Sequence, residues 1–351
     1  MRVFVYPYDE DFEIFLMHKG LLDLEIKDLL SPVGWGVKNP EGYVIKTQIN
    51  QINLEEMDAM LLIDSNRFEL SEEDIMLMVL KAVKNNMAIV LNRCVTDELL
   101  IEIKNLCKGA SAKLIDLRKT SQYDFVNSEK LQTIDTPIVT IVGMGQRCNK
   151  FETQVSIKVY LEKLGYRVCV VSSRRNTEFA GIHGFPDFMY GNQLDETAKI
   201  IHFNHYLKKL EQEEQPEIIL VGVPGSIMPV SKTHPEHFGV FAFEVLQAIQ
   251  SDMLIFCMHH NIYKDQYFEE LKNLTKYRLQ TEIDAFVIGN DSYDSFSIEA
   301  EGNLKYLTFD NQTVSEAMKT YPPNVYSRQT YDMLAQYVLE TLAEYADYQV
   351  M

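Results

Sequence analysis

No apolar run in this sequence approaches the roughly 18–20 residues needed to span a bilayer. The opening residues, Met1-Arg2-Val3-Phe4-Val5-Tyr6-Pro7, turn polar too soon for a signal peptide and read as a first strand. The expected location is therefore cytoplasmic. Cysteine is scarce: the five cysteines in 351 residues are odd in number, widely spaced and without a CxxC pair. That pattern excludes a disulfide framework or a zinc knuckle and suits free thiols in a reducing compartment. Cys169 and Cys257 lie in apolar runs and read as core residues, whereas Cys148 is the cysteine expected to be reactive. Basic residues are outnumbered, 33 Lys and Arg against 51 Asp and Glu, for a formal net charge of -18. This balance argues against a nucleic-acid partner and against anionic membrane.

What is present is an ordinary globular composition, 46% hydrophobic and 24% charged, at a length comfortable for two domains. Strands and helices alternate from the start. Asp58 to Asp64 and Ala88 to Leu91 read as buried strands, and Ala112 to Leu117 as a further one. Helices are expected from Ser71 to about Asn85 and from Thr96 to about Lys108, with part of Asp11 to Leu30 also helical. This pattern predicts a small parallel-sheet α/β domain, Rossmann-like, over residues 1–125. Asp64, Asn92 and Arg93 would sit at strand carboxyl ends, where open α/β sheets bind ligands. The single tryptophan, Trp35, lies between Gly34 and Gly36, as a plug for a core edge or a ligand platform. Residues 126–136, polar and without period, read as a linker.

A P-loop NTPase-like α/β domain is expected over 137–351. The apolar run Ile138 to Val142 enters Gly143-Met144-Gly145-Gln146-Arg147-Cys148-Asn149-Lys150, an amphipathic segment follows, Gly165 stops it, and Val168 to Val171 forms the next strand. A glycine-bearing loop between a strand and a helix N-terminus, ending in lysine, is the outline of a phosphate cradle. Its departures from G-x-x-x-x-G-K-[ST] are specific. Lys150 falls one residue late, and Asn149 stands for the second glycine, a residue type that tolerates a left-handed backbone. Phe151 occupies the place of the Mg²⁺-binding hydroxyl, so Thr153 is the candidate metal ligand and Lys150 the candidate catalytic residue. The candidate nucleotide-binding set is Gly143 to Phe151, Thr153, Arg174, Gly225 and Asn290, with ATP or GTP and Mg²⁺ as the cofactor.

Further along, Arg174 and Arg175 follow the second strand and suit an anionic ligand or a solvated strand end equally. The glycine- and aromatic-rich loop Phe179 to Phe188, with His183, reads as a substrate lid or a packed surface loop. The strand Glu217 to Val221 runs into Gly222-Val223-Pro224-Gly225 where a phosphate-binding NTPase would place an aspartate. His202 and His205, His234 and His237, and His259-His260 raise a metal site from separate elements as a minor expectation. Asn290 and Asp294, after the strand Ala285 to Ile288, are candidates for reading the base. A final helix from about Ser327 to Tyr345 would pack through Met333, Leu334, Val338, Leu339 and Leu342.

The Gly-to-Lys spacing resembles the loop of dethiobiotin-synthetase-like P-loop proteins. Taken with Tyr6-Pro7, Ser31-Pro32-Val33-Gly34-Trp35-Gly36, Phe185-Pro186-Asp187-Phe188 and Gly222-Val223-Pro224-Gly225, it also resembles a family of peptide-maturation-system proteins. That family is found in clostridial gene clusters for ribosomally made natural peptides. The resemblance spans most of the chain. It implies a cytoplasmic accessory whose partners are a precursor peptide and peptide-modifying enzymes of the same pathway, with a homodimer among the expected assemblies. It names no reaction. Two other readings stand beside it: a non-catalytic peptide-binding scaffold with a vestigial phosphate loop, and a group transferase acting in an interdomain cleft.

Overall fold

The computed structural model describes residues 1–65, 69–118, 123, 127–231, 239–294 and 305–349. Two compact units emerge. The first comprises Met1–Thr120 together with Asn176–Ile182, and the second comprises Ser121–Arg175 and His183–Met351.

In the first unit, β1 (Arg2–Tyr6), β2 (Glu25–Leu30), β3 (Ile45–Lys46), β4 (Ala59–Ile63), β5 (Ala88–Asn92) and β6 (Leu114–Asp116) form one sheet in the order β3-β2-β1-β4-β5-β6. Every pairing in it is parallel. Residues Ala59 to Leu62 are completely buried, as a strand covered on both faces requires. One face is covered by α2 (Glu72–Lys84) and α3 (Asp97–Gly109), whose Ile75, Val79, Val83, Leu99 and Ile103 pack on Met60, Leu62, Ile89 and Leu91. Both helices start where the sequence offers a cap: Ser71 accepts from Asp74 N and Thr96 from Leu99 N. This is the Rossmann-like strand order, with its reversal between β1 and β4. The stretch 11–30 is helical in its first half, where two 3-10 turns flank the α-helix. A short α1 (Glu13–Met17) is followed by β2, whose exposed-intermediate alternation ends in the buried pair Leu29-Leu30.

In the second unit, β7 (Ile138–Gly143), β8 (Val168–Val171), β9 (Ile218–Gly222), β10 (Met253–Met258), β11 (Ala285–Ile288) and β14 (Val325–Ser327) form a second all-parallel sheet, ordered β14-β11-β10-β7-β9-β8. A small antiparallel ribbon, β12 (Asp291–Tyr293) with β13 (Tyr306–Thr308), follows β11. α4 (Lys150–Lys163), α5 (Glu196–Glu214), α6 (Val240–Ala248), α7 (Asp265–Leu279), α8 (Asn311–Met318) and α9 (Tyr331–Gln349) complete the unit. The chain leaves β7 toward β8 and leaves β10 toward β11, so the order reverses between β7 and β10, the place where such sheets hold ligands.

Two sequence expectations change here. α4, expected as amphipathic, is buried nearly all round, including Lys150, Gln154, Ser156 and Lys158, whereas the apolar Leu164 just after it is exposed. α9 starts at Tyr331, after a strand at Val325–Ser327, and buries Leu334, Ala335 and Val338 while Met333 points to solvent. Residues 127–136, within the stretch expected as a linker, are coil hydrogen-bonded to α5. Gln132 N donates to Asn204 Oδ1 at 2.7 Å, and Asp135 and Thr136 N both donate to Glu211 Oε1 at 2.7 Å.

Candidate functional site

β7 is completely buried, and its last residue, Gly143, begins the loop that ends at Lys150. A Cβ on Gly143 would lie 2.4 Å from Cys148 Sγ and 3.1 Å from the carbonyl oxygen of Cys257, so only glycine permits this closure. Gly145 is closed by side chains alone: a Cβ there would meet Tyr293 OH at 2.1 Å and His259 Cε1 at 2.8 Å. The loop is tied down at each end. Met144 N donates to Cys257 O at 2.8 Å, and Cys148 Sγ lies 3.1 Å from Gly145 O. Arg147 and Asn149 adopt left-handed backbone, at φ 56 and 63. Asn149 takes the conformation for which a glycine is usual, as its place in the motif requires. α4 then opens without a side-chain cap. Its first-turn amides and the positive end of its dipole are therefore presented to the loop.

Lys150 is 7% exposed, and its ammonium turns back into the loop. It donates to Gly145 O and, at 2.6 Å, to Gly225 O, and lies 3.7 Å from Cys148 Sγ. The loop after β9 is thus joined to the β7 loop through the lysine. Ile227 N adds a 3.0 Å hydrogen bond to Gly143 O. Arg174 lies with its guanidinium 4.6 Å from the Phe151 ring centroid, so it is seated on the first turn of α4. Phe151 itself is core, 2% exposed. Arg175 stacks on Tyr190 instead, 3.7 Å from that ring, and pairs with Asp187.

On the opposite wall, His259 follows β10. Its Nε2 lies 2.7 Å from Gln146 O and its ring 4.2 Å from that of Tyr293. Burial pushes its pKa down to about 4, so the neutral ring donates Nε2–H to that carbonyl. Arg147 reaches Asp291 Oδ2 at 2.9 Å and lies 4.4 Å from the Tyr306 ring centroid. Asn290 donates to Phe309 O at 3.1 Å and to Asn311 Oδ1 at 2.8 Å, and its Oδ1 lies 3.5 Å from Asn149 Nδ2. Asp294 contributes its backbone N to Lys305 O in the ribbon.

Thr153 is placed differently from its expected role as metal ligand. It is fully buried, and its hydroxyl donates back to Asn149 O at 2.8 Å, with Tyr331 OH and Cys257 Sγ as its other neighbours. The end of β9 carries no carboxylate, and Ser226 beside it directs its hydroxyl to Met228 O at 2.5 Å. Phosphate recognition fits these residues; Mg²⁺ ligation by Thr153 does not. Cys148 is likewise 1% exposed rather than open to reagents, and Cys94 is the exposed thiol.

The histidine pairs do not converge among the described residues. His205 is engaged by Gln132 Nε2 and Lys130 O, and His202 packs edge-on to Tyr123 and Phe188. His234 and His237 lie outside the described residues. Asp64, Asn92 and Arg93 are brought together at the ends of β4 and β5 in the first unit. Asn176 Nδ2 donates to Asp64 Oδ2, and Asn92 Nδ2 to Asn176 O, each at 2.9 Å, while Arg93 donates to Ile63 O at 3.0 Å. These contacts group the segment Asn176–Ile182 with the first unit.

Sequence reasoning missed Gln154. It is fully buried one turn into α4, donates to Val171 O at 2.9 Å and accepts from Ser173 N at 3.0 Å, fixing the start of the arginine-bearing loop. A polar residue at i+4 from Lys150 on a buried helix was the available signal. It missed Tyr293 and Asp291 as well, because their partners Gly145 and Arg147 are more than 140 residues away.

No protein-family model matches the sequence, and no curated protein matches it. Among solved structures, a DUF1611 family protein from Anabaena variabilis is similar at a TM-score of 0.58 and 12% identity, over 91% of this chain and 91% of that one. At that identity the likeness is one of fold. The hydrogenase maturation factor HypB from Archaeoglobus fulgidus (TM-score 0.30, 16% identity, 59% of this chain and 90% of that one) is far more distant. So is the signal recognition particle 54 kDa protein from Aeropyrum pernix in complex with GDP, at 0.32 and 13%, over 76% and 58%. The fold is α/β, with one six-stranded parallel sheet in each unit, the first in Rossmann-like strand order. Among the described residues no helix is long and apolar enough to cross a membrane.

Proposed function

We propose that this protein is a nucleotide-binding, P-loop-like accessory of a system that matures ribosomally made peptides. The observation that carries nucleotide binding is the loop itself. Gly143 leaves no room for a Cβ, Gly145 lies against Tyr293 and His259, α4 opens uncapped, and the Lys150 ammonium is gathered beside that opening. Uncapped amides and a buried cation at one helix N-terminus recognise phosphate oxygens. Arg174, seated over Phe151, adds a second cation at the same turn. ATP or GTP is the ligand class. The precursor peptide and the pathway's modifying enzymes are its proposed partners, on the strength of the family resemblance of the motifs quoted above. The net charge of -18 suits a basic leader peptide.

Binding without hydrolysis is the favoured form of this activity. Thr153 spends its hydroxyl on Asn149 O, and β9 ends in Gly222 with no carboxylate after it. Both features remove groups through which Mg²⁺-assisted transfer would be assembled.

The test is calorimetric titration of ATP and of GTP, with and without Mg²⁺, into the wild-type chain and Lys150→Ala. Micromolar binding that is lost in the variant is expected, with little dependence on Mg²⁺. No heat from either nucleotide with the wild-type chain overturns the reading and leaves the loop a fold relic.

A further inference from the structure

Away from the phosphate loop, Cys169 of β8, His183 and Glu214 place one ligand atom each within 4.8 Å of one another. Among the described residues no other group of three His, Cys, Asp or Glu does so. The convergence follows from the fold. His183 joins the free edge of β8 as a one-residue parallel bridge: its N donates to Val170 O at 2.9 Å, and Ser172 N donates to its carbonyl at 2.7 Å. His183 stands opposite Val171, and Cys169 lies two residues before Val171, so both side chains take the same face of the pleat. α5 packs on that face, with Phe203, Leu207 and Leu210 in one core with Cys169 and Val171. Its last residue, Glu214, thereby reaches the edge, and Gln215 ends the helix in left-handed backbone.

We propose that Cys169, His183 and Glu214 form a binding site for a zinc-class divalent transition ion, with the fourth position open. One thiolate, one imidazole and one carboxylate are the donors of zinc, cobalt or nickel rather than of Mg²⁺ or Ca²⁺. Bonds of about 2.0–2.3 Å in a tetrahedron set ligand atoms about 3.3–3.8 Å apart, inside the 4.8 Å within which the three donor atoms already lie. Three protein ligands with an open position are the pattern of sites that take water or a substrate, not of closed structural sites.

Without a metal, the set rests as a hydrogen-bonded group. His183 Nε2 bonds Glu214 Oε1, and burial with Glu214 alongside holds the Cys169 thiol protonated. The neighbouring Lys158 is occupied by Glu162 and by Val168 O. Metal entry would replace the imidazole–carboxylate hydrogen bond, move the ring proton to Nδ1 and release the thiol proton to solvent. The ion would also brace the base of the excursion that carries Arg174, because Ser172 and His183 are bonded to each other at its two ends.

The competing account is a histidine–glutamate pair beside an inert buried thiol. The two are separated by titrating the chelator-treated, reduced full chain with Co²⁺ alone and recording absorption. One equivalent producing a thiolate-to-cobalt band in the near ultraviolet, with tetrahedral visible bands, and displaced by Zn²⁺, is the expected result. Cys169→Ser should abolish the thiolate band. Glu214→Gln, at an exposed helix end where folding is retained, should weaken binding at least about tenfold. Cys148→Ser should leave the spectrum unchanged. Absence of the band in the wild-type chain, its survival in Cys169→Ser, or unchanged affinity in Glu214→Gln would each overturn the proposal.

Discussion

β1 and β7 each lie at the centre of a six-stranded parallel sheet, beside the strand at which the order reverses, yet they open onto opposite chemistry. β1 runs into Pro7, which has no N–H to offer, and then to Asp9, a fully buried carboxylate that accepts from Asp11 N at 2.8 Å and from the Ser65 hydroxyl beyond β4. β7 runs into two glycines, an uncapped helix and a buried lysine. The first arrangement presents negative charge; the second presents the lysine and helix amides proposed above to bind phosphate. The contrast extends to the glycines. At Gly20, Gly34, Gly36, Gly42 and Gly109 of the first unit an added Cβ meets nothing within 4 Å, whereas Gly143, Gly145 and Gly222 are closed by side chains. The same sheet architecture thus closes a tight strand-to-helix loop around a lysine only where the sequence removes side chains and a cap. Fold and site are separate properties of this chain.

The contrast breaks first at Gly143. In Gly143→Ala the new methyl has to displace Cys148 Sγ from 2.4 Å and press on Cys257 O, inside a site with no slack. Overpacking of this kind costs about 3 kcal/mol. Trp35 is the only tryptophan and belongs to the first unit, so its emission reports that unit while circular dichroism reports both. The expected outcome is a large downward shift of the dichroism transition in urea, loss of nucleotide binding, and an unmoved Trp35 transition. A Trp35 transition that falls with the other would show that the loop's packing is felt throughout the chain.

The alternating apolar runs made both sheets legible, because a buried parallel strand reads directly as a block of Val, Ile and Leu; β4, β5, β7, β8, β9, β10 and β11 fall where those blocks lie. β2 was hidden because Glu25-Ile26-Lys27-Asp28 carries charge at an edge-side position, and only Leu29-Leu30 is buried. β14 was hidden by its three-residue length. In the site, the glycine spacing and Lys150 were readable, since close backbone approach demands glycine. Thr153 was not, because its role depends on which face of α4 meets Tyr331, 178 residues away. Nor was the Cys169, His183 and Glu214 cluster, whose members share no sequence spacing and meet only through the pairing of His183 with β8.

A second difference concerns buried charge. In the first unit Asp58 is solvent-exposed and paired with Arg2 at 2.7 Å, which holds its pKa down to about 2. In the second, Glu244 on α6 is fully buried, its neighbour Lys199 is 3.8 Å away, and Glu196 adds repulsion. Burial pushes its pKa up to about 7. The folded state therefore holds the Glu244 proton more tightly than the unfolded chain, whose glutamates titrate near 4.3. The resulting stabilisation is complete below about pH 4 and is lost as pH rises through 7. Glu244→Gln removes that dependence. Its stability by urea titration followed by dichroism should gain on wild type between pH 5 and pH 8, by about 2–3 kcal/mol. Equal midpoints at both pH values would show that a partner relieves the carboxylate. Asp58→Asn, removing an exposed pair, should change little at either pH.

The smallest effect has the opposite sign and sharpens the glycine contrast. Gly109 ends α3 in the first unit, exposed, with no atom within 4 Å of an added Cβ and no left-handed backbone to maintain. Gly109→Ala adds helix propensity without a clash, a gain of about 0.5 kcal/mol at the last turn. The Trp35 transition should rise slightly and nucleotide titration should be unchanged. One methyl group would then stabilise the first unit and, placed at Gly143, disrupt the second. A fall in the Trp35 transition for Gly109→Ala would mean that the first unit's glycines are as constrained as those of the loop.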